Sequence, residues 1–259
     1  MDLPLTRTVA PLLTWLPEVD STNAWLSQRV REAHPDSPVP DRFVVATDTQ
    51  TSGRGRLDRA WTAPARTSLA VSALRRARRA DAALALLPLT AGSAVAAALR
   101  PLLPSHSVTV KWPNDVHVDG LKVCGILCEL TADGGVIIGV GINLTLTAAE
   151  LPVPTATSLA LQDAVSTSVD TVLSATLSEL WAQTTELLDA DTPQRIEAIV
   201  DRARRDSATL GRRVSTHLPD GSVITGVART LDTGGRLVIE RADGGGMLTV
   251  SAGDVIHLR

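Results

Sequence analysis

Apolar positions along the chain change their period several times, and each change marks an element. From Ser21 to Ala33 a polar start leads into Trp25, Leu26 and Val30, the spacing of a short amphipathic helix. Phe43–Ala46 is an apolar run of strand length, followed by a polar, glycine-containing run from Thr47 to Arg59. Ser68–Leu74 predicts another strand and Leu84–Leu103 a mostly helical stretch; the apolar run Ala82–Leu99, interrupted by Pro88 and Gly92, reads as a buried helix or a broken pair. Val108–Lys111 predicts a strand stopped at Pro113. The Asp119-Gly120 pair between Val116–Val118 and Leu121–Leu130 predicts a hairpin, and Val136–Asn143 returns after a turn. Three successive strands with short turns make an antiparallel meander rather than a parallel crossover unit. Helical periodicity resumes over Ser166–Leu188 and Pro193–Leu210, with Gly211 as the stop.

Beyond Arg212 the character changes. Val214–Leu218, Val223–Thr230, Leu237–Glu240, Met247–Val250 and Val255–Leu258 are short strands parted by Gly- and Asp-rich turns, which predicts a small β-barrel. The expected division is therefore a first domain over 1–210 and a second over 211–259.

Composition narrows the class. With 44% hydrophobic and 20% charged residues in 259, the chain can bury a substantial core and is not a disordered segment. A net charge of -3 offers no global attraction to nucleic acid or to a membrane surface, so neither is expected as a partner. No cationic stretch ahead of an apolar run opens the chain, and Ala82–Leu99 is too broken to predict a spanning helix. Cys124 and Cys128 lie too far apart on one predicted strand to bridge. They read as small buried hydrophobes, consistent with a reducing cytoplasm.

Two segments hold the candidate chemistry. Gly53-Arg54-Gly55-Arg56, behind Asp48-Thr49-Gln50, combines backbone-permissive glycines with two guanidinium groups suited to phosphate or carboxylate. Taken alone it also reads as a solvated turn. It is not a dinucleotide fingerprint, because Leu57-Asp58 stands where a third glycine belongs and no helix pattern follows. No Gly-Lys-Ser/Thr loop, serine elbow or His-Glu-x-x-His is present. The second segment is Lys111-Trp112-Pro113-Asn114-Asp115, followed by Lys122-Val123-Cys124-Gly125. Two lysines on neighbouring strands of one meander favour an anion site, since a buried lysine is costly without a counter-charge. Gly125 would let a flat ligand lie against its strand. Residues 53–79 hold eight arginines against one acid, Asp58. Arg75, Arg76, Arg78 and Arg79 are expected at a solvated strand end. Ser21, Thr22 and Asn23 suit a helix cap, or hydrogen bonds to a polar heterocycle at the helix start.

In this order, Ser21-Thr22-Asn23, Asp48 to Arg56 with Trp61, Lys111 to Asp115, Lys122 to Leu127 and Gly139-Val140-Gly141-Ile142-Asn143 resemble the catalytic core of the biotin–protein ligases. The resemblance covers nearly the whole chain. It implies an α+β fold: a mixed, largely antiparallel sheet packed with helices, like that of class II synthetases, followed by an SH3-like β-barrel. It implies biotin and ATP as substrates, Mg²⁺ with ligands unassigned, and a biotin carboxyl carrier domain as partner. The enzyme would be cytoplasmic, a monomer or weak homodimer. With twenty residues ahead of Ser21, no N-terminal DNA-binding domain is expected.

The implied roles are specific. Arg54, Arg56 and the Gly55 backbone would bind the biotin carboxylate and adenylate phosphate. Lys122 would stabilise the α-phosphate with help from Lys111, and Ser21, Thr22, Asn23 and Gln50 would meet the ureido head. Trp61 would pack over adenine with Asn143 nearby, beside Gly125 and Gly141. Asn114 and Asp115 would position phosphate, metal or the acceptor lysine. Leu57-Asp58 departs from the usual small or basic residue followed by glycine, which bears on how the loop closes. A lipoate ligase or lipoyl/octanoyl transferase, and a non-catalytic binding protein, are the alternatives.

Overall fold

The computed structural model describes residues 1–56, 59–76, 82–218, 221–251 and 254–258. Leu57, Asp58, Arg78 and Arg79 lie outside them.

Elements run in the order α1 (Pro4–Val9), β1 (Leu13–Trp15), α2 (Thr22–Glu32), β2 (Val44–Thr47), β3 (Gly53–Arg54), β4 (Ala60–Trp61) and β5 (Ser68–Arg76). Then come α3 (Ala82–Leu99), β6 (Val108–Lys111), β7 (Asp115–Val118), β8 (Leu121–Leu130) and β9 (Gly135–Asn143). Two long helices follow, α4 (Val169–Leu188) and α5 (Pro193–Asp206). The chain ends with β10 (Arg213–His217), β11 (Val223–Leu231), β12 (Leu237–Arg241), β13 (Met247–Val250) and β14 (Asp254–His257).

Seven strands form one sheet in the order β1-β2-β5-β9-β8-β7-β6. β1 pairs parallel with β2, while the remaining neighbours are antiparallel, which gives the mixed sheet its bias. The β6–β9 meander matches the sequence expectation. β1 and α1 were not foreseen, since three and six residues give too little periodicity to read.

Alternation divides the sheet into two faces. Val44, Ala46, Leu69, Val71, Ala73, Ile138, Val140 and Ile142 point to the main core. There α3 supplies Leu87, Ala91, Ala94, Val95 and Leu99. Gly92 lets α3 approach β6, since a Cβ there would lie 3.0 Å from Val110 Cγ1. α3 is one continuous helix with Pro88 inside it. The stretch Leu84–Leu102 is long and apolar enough to cross a membrane, but 67% of it is buried within the fold. On the opposite face Val45, Leu74 and Ile137 pack under Leu26 and Val30 of α2. Ser21 caps that helix by accepting from the Ala24 N–H at 3.4 Å.

The last five strands form an antiparallel sheet in the order β13-β12-β11-β10-β14. It is tied to the large sheet through Trp112, whose N–H donates to Thr209 Oγ1 and whose indole Nε1 donates to the Gly235 carbonyl, each at 3.0 Å.

The arginine-rich strand end departs from expectation. Arg75 is 5% exposed, ion-paired with Asp41 at 3.2 Å and set 5.7 Å from the Trp181 ring. Arg76 is paired with Asp133 at 2.9 Å. β5 continues to Arg76 because α4 covers its end with Thr184 and Trp181, a packing partner more than a hundred residues away.

Candidate active site

The floor of the site is a single register row crossing five strands. Ala70 faces Gly141, Gly141 faces Gly125, Gly125 faces Asp115 and Asp115 faces Lys111. Directly opposed residues share a face, and here it is the face that carries α2. The small residues at 70, 141 and 125 therefore leave a hollow beside the helix start. Asp115 and Lys111 close one end of the row.

Trp61 packs into the hollow. β3, inside the glycine-containing run, pairs with β4 just beyond it as a two-stranded ribbon, with Gly53 opposite Trp61 and Arg54 opposite Ala60. The ribbon lays the indole on the glycine pair: a Cβ on Gly141 would lie 2.7 Å from Trp61 Cε2, and one on Gly125 3.2 Å from Cζ3. The indole Nε1 is buried without a hydrogen-bond partner among the described residues.

The cavity beside the indole is about 150 Å³. Ser21, Thr22, Asn23 and Gln50 border it at the α2 end, and Arg54, Gly55 and Arg56 border it from the ribbon. Lys111, Asn114, Asp115 and Lys122 complete the cationic end, and Trp61, packed on Gly125 and Gly141, forms a wall. Asn143 does not join them. It is 5% exposed and donates to the Thr157 carbonyl at 2.8 Å, so the strand that supplies Gly141 turns Asn143 towards a neighbouring loop.

The two lysines are half-buried rather than buried. Lys122 already has its counter-charge, with Nζ 2.8 Å from Asp115 Oδ1 and 5.9 Å from the Trp61 ring centroid. The protein itself supplies this resting anion, and the shift of register at Val116/His117 brings Lys122 back over Asp115. Arg56 donates from Nη1 to Asn114 Oδ1 at 3.0 Å, while Asn114 Nδ2 donates to the Ile126 carbonyl at 2.7 Å. Arg54 stands 3.6 Å from Glu129.

Asn23, expected to meet a ligand, is committed elsewhere. Its Nδ2 donates to the Leu127 carbonyl at 3.2 Å and to Glu129 Oε2 at 2.5 Å. Gln50 Oε1 accepts from the Thr22 N–H at 2.8 Å, which leaves the Gln50 amide protons for other partners. Cys124 and Cys128 are free; burial raises both thiols, Cys128 to about 12, so neither supplies a thiolate. Among the described residues no three His, Cys, Asp or Glu side chains cluster as a metal site. Ala70, Leu127 and Arg59 also border the cavity, as does Val255 from the C-terminal sheet. Val255 had no local signal, because its approach depends on how the two sheets pack.

Residues 15–144 match the model of the Biotin/lipoate A/B protein ligase family, and residues 209–258 match that of the Biotin protein ligase C terminal domain. The chain is 40% identical over 222 residues to the biotin--[acetyl-CoA-carboxylase] ligase of Mycobacterium tuberculosis, covering 85% of this chain and 80% of that one. It is 30% identical over 231 residues to the bifunctional ligase/repressor BirA of Escherichia coli, covering 87% of this chain and 68% of the relative. Among solved structures, the biotin protein ligase of Aquifex aeolicus in complex with biotin and ATP superposes with a TM-score of 0.76. That match has 28% identity and covers 95% of this chain and 98% of the other. A sheet with a glycine pair, a tryptophan wall and a cationic end is thus joined to two domain matches, and the chain belongs to the biotin/lipoate A/B protein ligase family.

Proposed function

We propose that the protein is a biotin–protein ligase: it activates biotin with ATP and passes the biotinyl group to a lysine of a biotin carboxyl carrier domain. The observation that carries this reading is the convergence of Arg54, Arg56, Lys111 and Lys122 on one cavity bordered by the paired glycines. The separate match to the C-terminal domain of biotin protein ligases favours biotin over lipoate.

In the first step a carboxylate oxygen of biotin attacks the α-phosphorus, the bond to the β-phosphate bridging oxygen breaks, and pyrophosphate leaves. In the second the acceptor amine attacks the acyl carbon and AMP leaves with the bonding pair of the acyl–oxygen bond. Both nucleophiles belong to substrates, so the protein's tasks are to juxtapose two anions and to neutralise charge growing at phosphorus. Arg54, Arg56 and the Gly55 N–H would hold the carboxylate and phosphate. Lys122 would leave Asp115 for the α-phosphate, assisted by Lys111 across the row. Ser21, Thr22 and Gln50 would receive the ureido ring, and the unpaired indole N–H of Trp61 would take an acceptor from the ligand. Mg²⁺ would arrive as the counter-ion of the triphosphate, with Asn114 and Asp115 the oxygen donors nearest the cationic end.

The test is direct. Labelled biotin is expected to appear on a purified carrier domain only with ATP, with matching pyrophosphate release, and Lys122→Ala is expected to slow both by about 10²–10³. Pyrophosphate release driven by lipoate but not by biotin would overturn the reading.

A further inference from the structure

Between the start of α2 and the ribbon arginine runs a polar chain, buried at Ser72 and Asn23 and half-buried at Glu129, whose two key members, Ser72 and Glu129, do not border the cavity. Ser72, on β5, is fully buried, and its hydroxyl lies 2.5 Å from Asn23 Oδ1 and 2.8 Å from Thr22 Oγ1. Asn23 continues to Glu129 at 2.5 Å, and Glu129 to Arg54 at 3.6 Å. Gly139 makes this possible. A Cβ there would lie 2.3 Å from Asn23 Oδ1, so the amide reaches β9 only over a bare backbone.

The direction of every proton in the chain follows from its partners. The Leu127 carbonyl and the Glu129 carboxylate accept only, so the Asn23 NH₂ faces them and Oδ1 faces Ser72. Ser72 has one proton, which goes to that oxygen, and its own oxygen must accept from Thr22. The Thr22 hydroxyl is thereby spent on Ser72 at 2.8 Å, in preference to Gln50 Oε1 at 3.2 Å. Towards the cavity Thr22 presents lone pairs only. Gln50, whose Oε1 accepts the Thr22 N–H, presents amide protons only.

We propose that Ser72 and Glu129 are positioning residues of the biotin subsite: Ser72 sets which groups at its polar end donate and which accept, and Glu129 sets where Arg54 rests. The proposal deepens the functional reading above and rests on it for the ligand. An acceptor-only Thr22 beside a donor-only Gln50 fits a cyclic urea, in which N–H and C=O stand side by side. Glu129 fits a different task. Its Oε2 is anchored by Asn23 while Oε1 faces Arg54, so a fixed carboxylate keeps a half-exposed guanidinium on the cavity side of the ribbon instead of in solvent.

The two ends separate experimentally with biotin and biotinol, which share the ring but differ in the carboxylate. Ser72→Ala is expected to weaken both ligands about tenfold, the scale of one buried hydrogen bond turned unfavourable, with the KM for ATP unchanged within about twofold. Glu129→Gln keeps an acceptor for Asn23 and removes only the charge. It is expected to weaken biotin about threefold and leave biotinol unchanged. Equal affinities for parent and Ser72→Ala, or a Glu129→Gln effect shared by both ligands, would overturn the proposal. Hydrogen exchange of the Asn23 side-chain amide protons reads the chain without any ligand: slow in the parent and in Glu129→Gln, fast in Ser72→Ala. If the parent binds no biotin, the functional reading falls by itself, and fast exchange in the parent would then remove the positioning chain as well.

Discussion

Gly125 and Gly141 face each other across β8 and β9, and the Trp61 indole packs on the pair. Neither glycine has a positive φ, so backbone conformation does not demand either of them. What demands them is the ring above. A methyl group at 141 would sit 2.7 Å from the indole, inside van der Waals contact, and the ring would have to lift.

Gly141→Ala is therefore expected to weaken biotin binding by at least about tenfold, since overpacking of about 1–3 kcal/mol falls on the cavity itself. Gly125→Ala, whose Cβ would meet the ring at 3.2 Å, is expected to have the smaller effect. Isothermal titration of both variants measures the order, and an effect at 125 equal to or larger than that at 141 would contradict the geometry.

Lys122→Ala removes the cation proposed to act at the α-phosphate and leaves Asp115 without its partner at 2.8 Å. Loss of a preorganised charge at a developing phosphorane lowers kcat for pyrophosphate release by about 10²–10³. Lys122→Ala/Asp115→Asn is expected to restore thermal stability lost in the single variant but not the rate, which separates the ion pair's structural role from its chemical one.

Arg56 reaches Asn114 at 3.0 Å, bridging the ribbon to the turn after β6. In the proposed reaction this contact would hold the ribbon against the turn while the adenylate is bound. Arg56→Gly is expected to release biotinyl-5′-AMP and to label bystander proteins, and Asn114→Ala is expected to do the same to a lesser degree. Indiscriminate labelling of a lysine-rich bystander, set against transfer to the carrier domain, is the measurement. Parent-like selectivity in Arg56→Gly would remove this role. Loop closure itself is a further expectation: protection of the ribbon from proteolysis should increase with biotin and ATP together.

His257 lies where β14 meets the large sheet, with Nε2 3.2 Å from Thr209 Oγ1. Burial, with Lys111, His117 and Arg212 nearby, lowers its pKa to about 4. His117 is lowered as well, chiefly by burial. The unfolded chain takes up a proton near pH 6.5, whereas the folded one resists until about 4. Protons thus favour the unfolded chain throughout that interval. Stability from this site is complete above pH 6.5 and declines as pH falls towards 4. His257→Gln is expected to flatten the fall in urea midpoint between pH 6.5 and 4.5. An unchanged slope would show that the contact titrates elsewhere.

Much of this protein was legible in its sequence, because the deciding signals were local. The Asp119-Gly120 turn and the alternation on either side of it specify the hairpin, and the turn-rich final segment specifies the second sheet. Of the site residues singled out by the glycine, arginine and lysine motifs, all but Asn143 border one cavity. Asn143 failed because a motif marks a strand end but not the direction of a side chain, and here the Thr157 carbonyl claims it. Arg75 failed for a related reason: four arginines in a short span read as solvated, yet Trp181 and Thr184 of a distant helix bury one of them.

What only the tertiary structure decided is register and partnership. Ala70, Gly141, Gly125, Asp115 and Lys111 come from four stretches of sequence and become one row solely through strand pairing. The anion beside Lys122, the indole over the glycines and the link from Ser72 through Asn23 to Glu129 are all contacts of that kind. Propensity and period act over a few residues, whereas a side chain's neighbours are set by which segments pack together, and that information is spread over the whole chain.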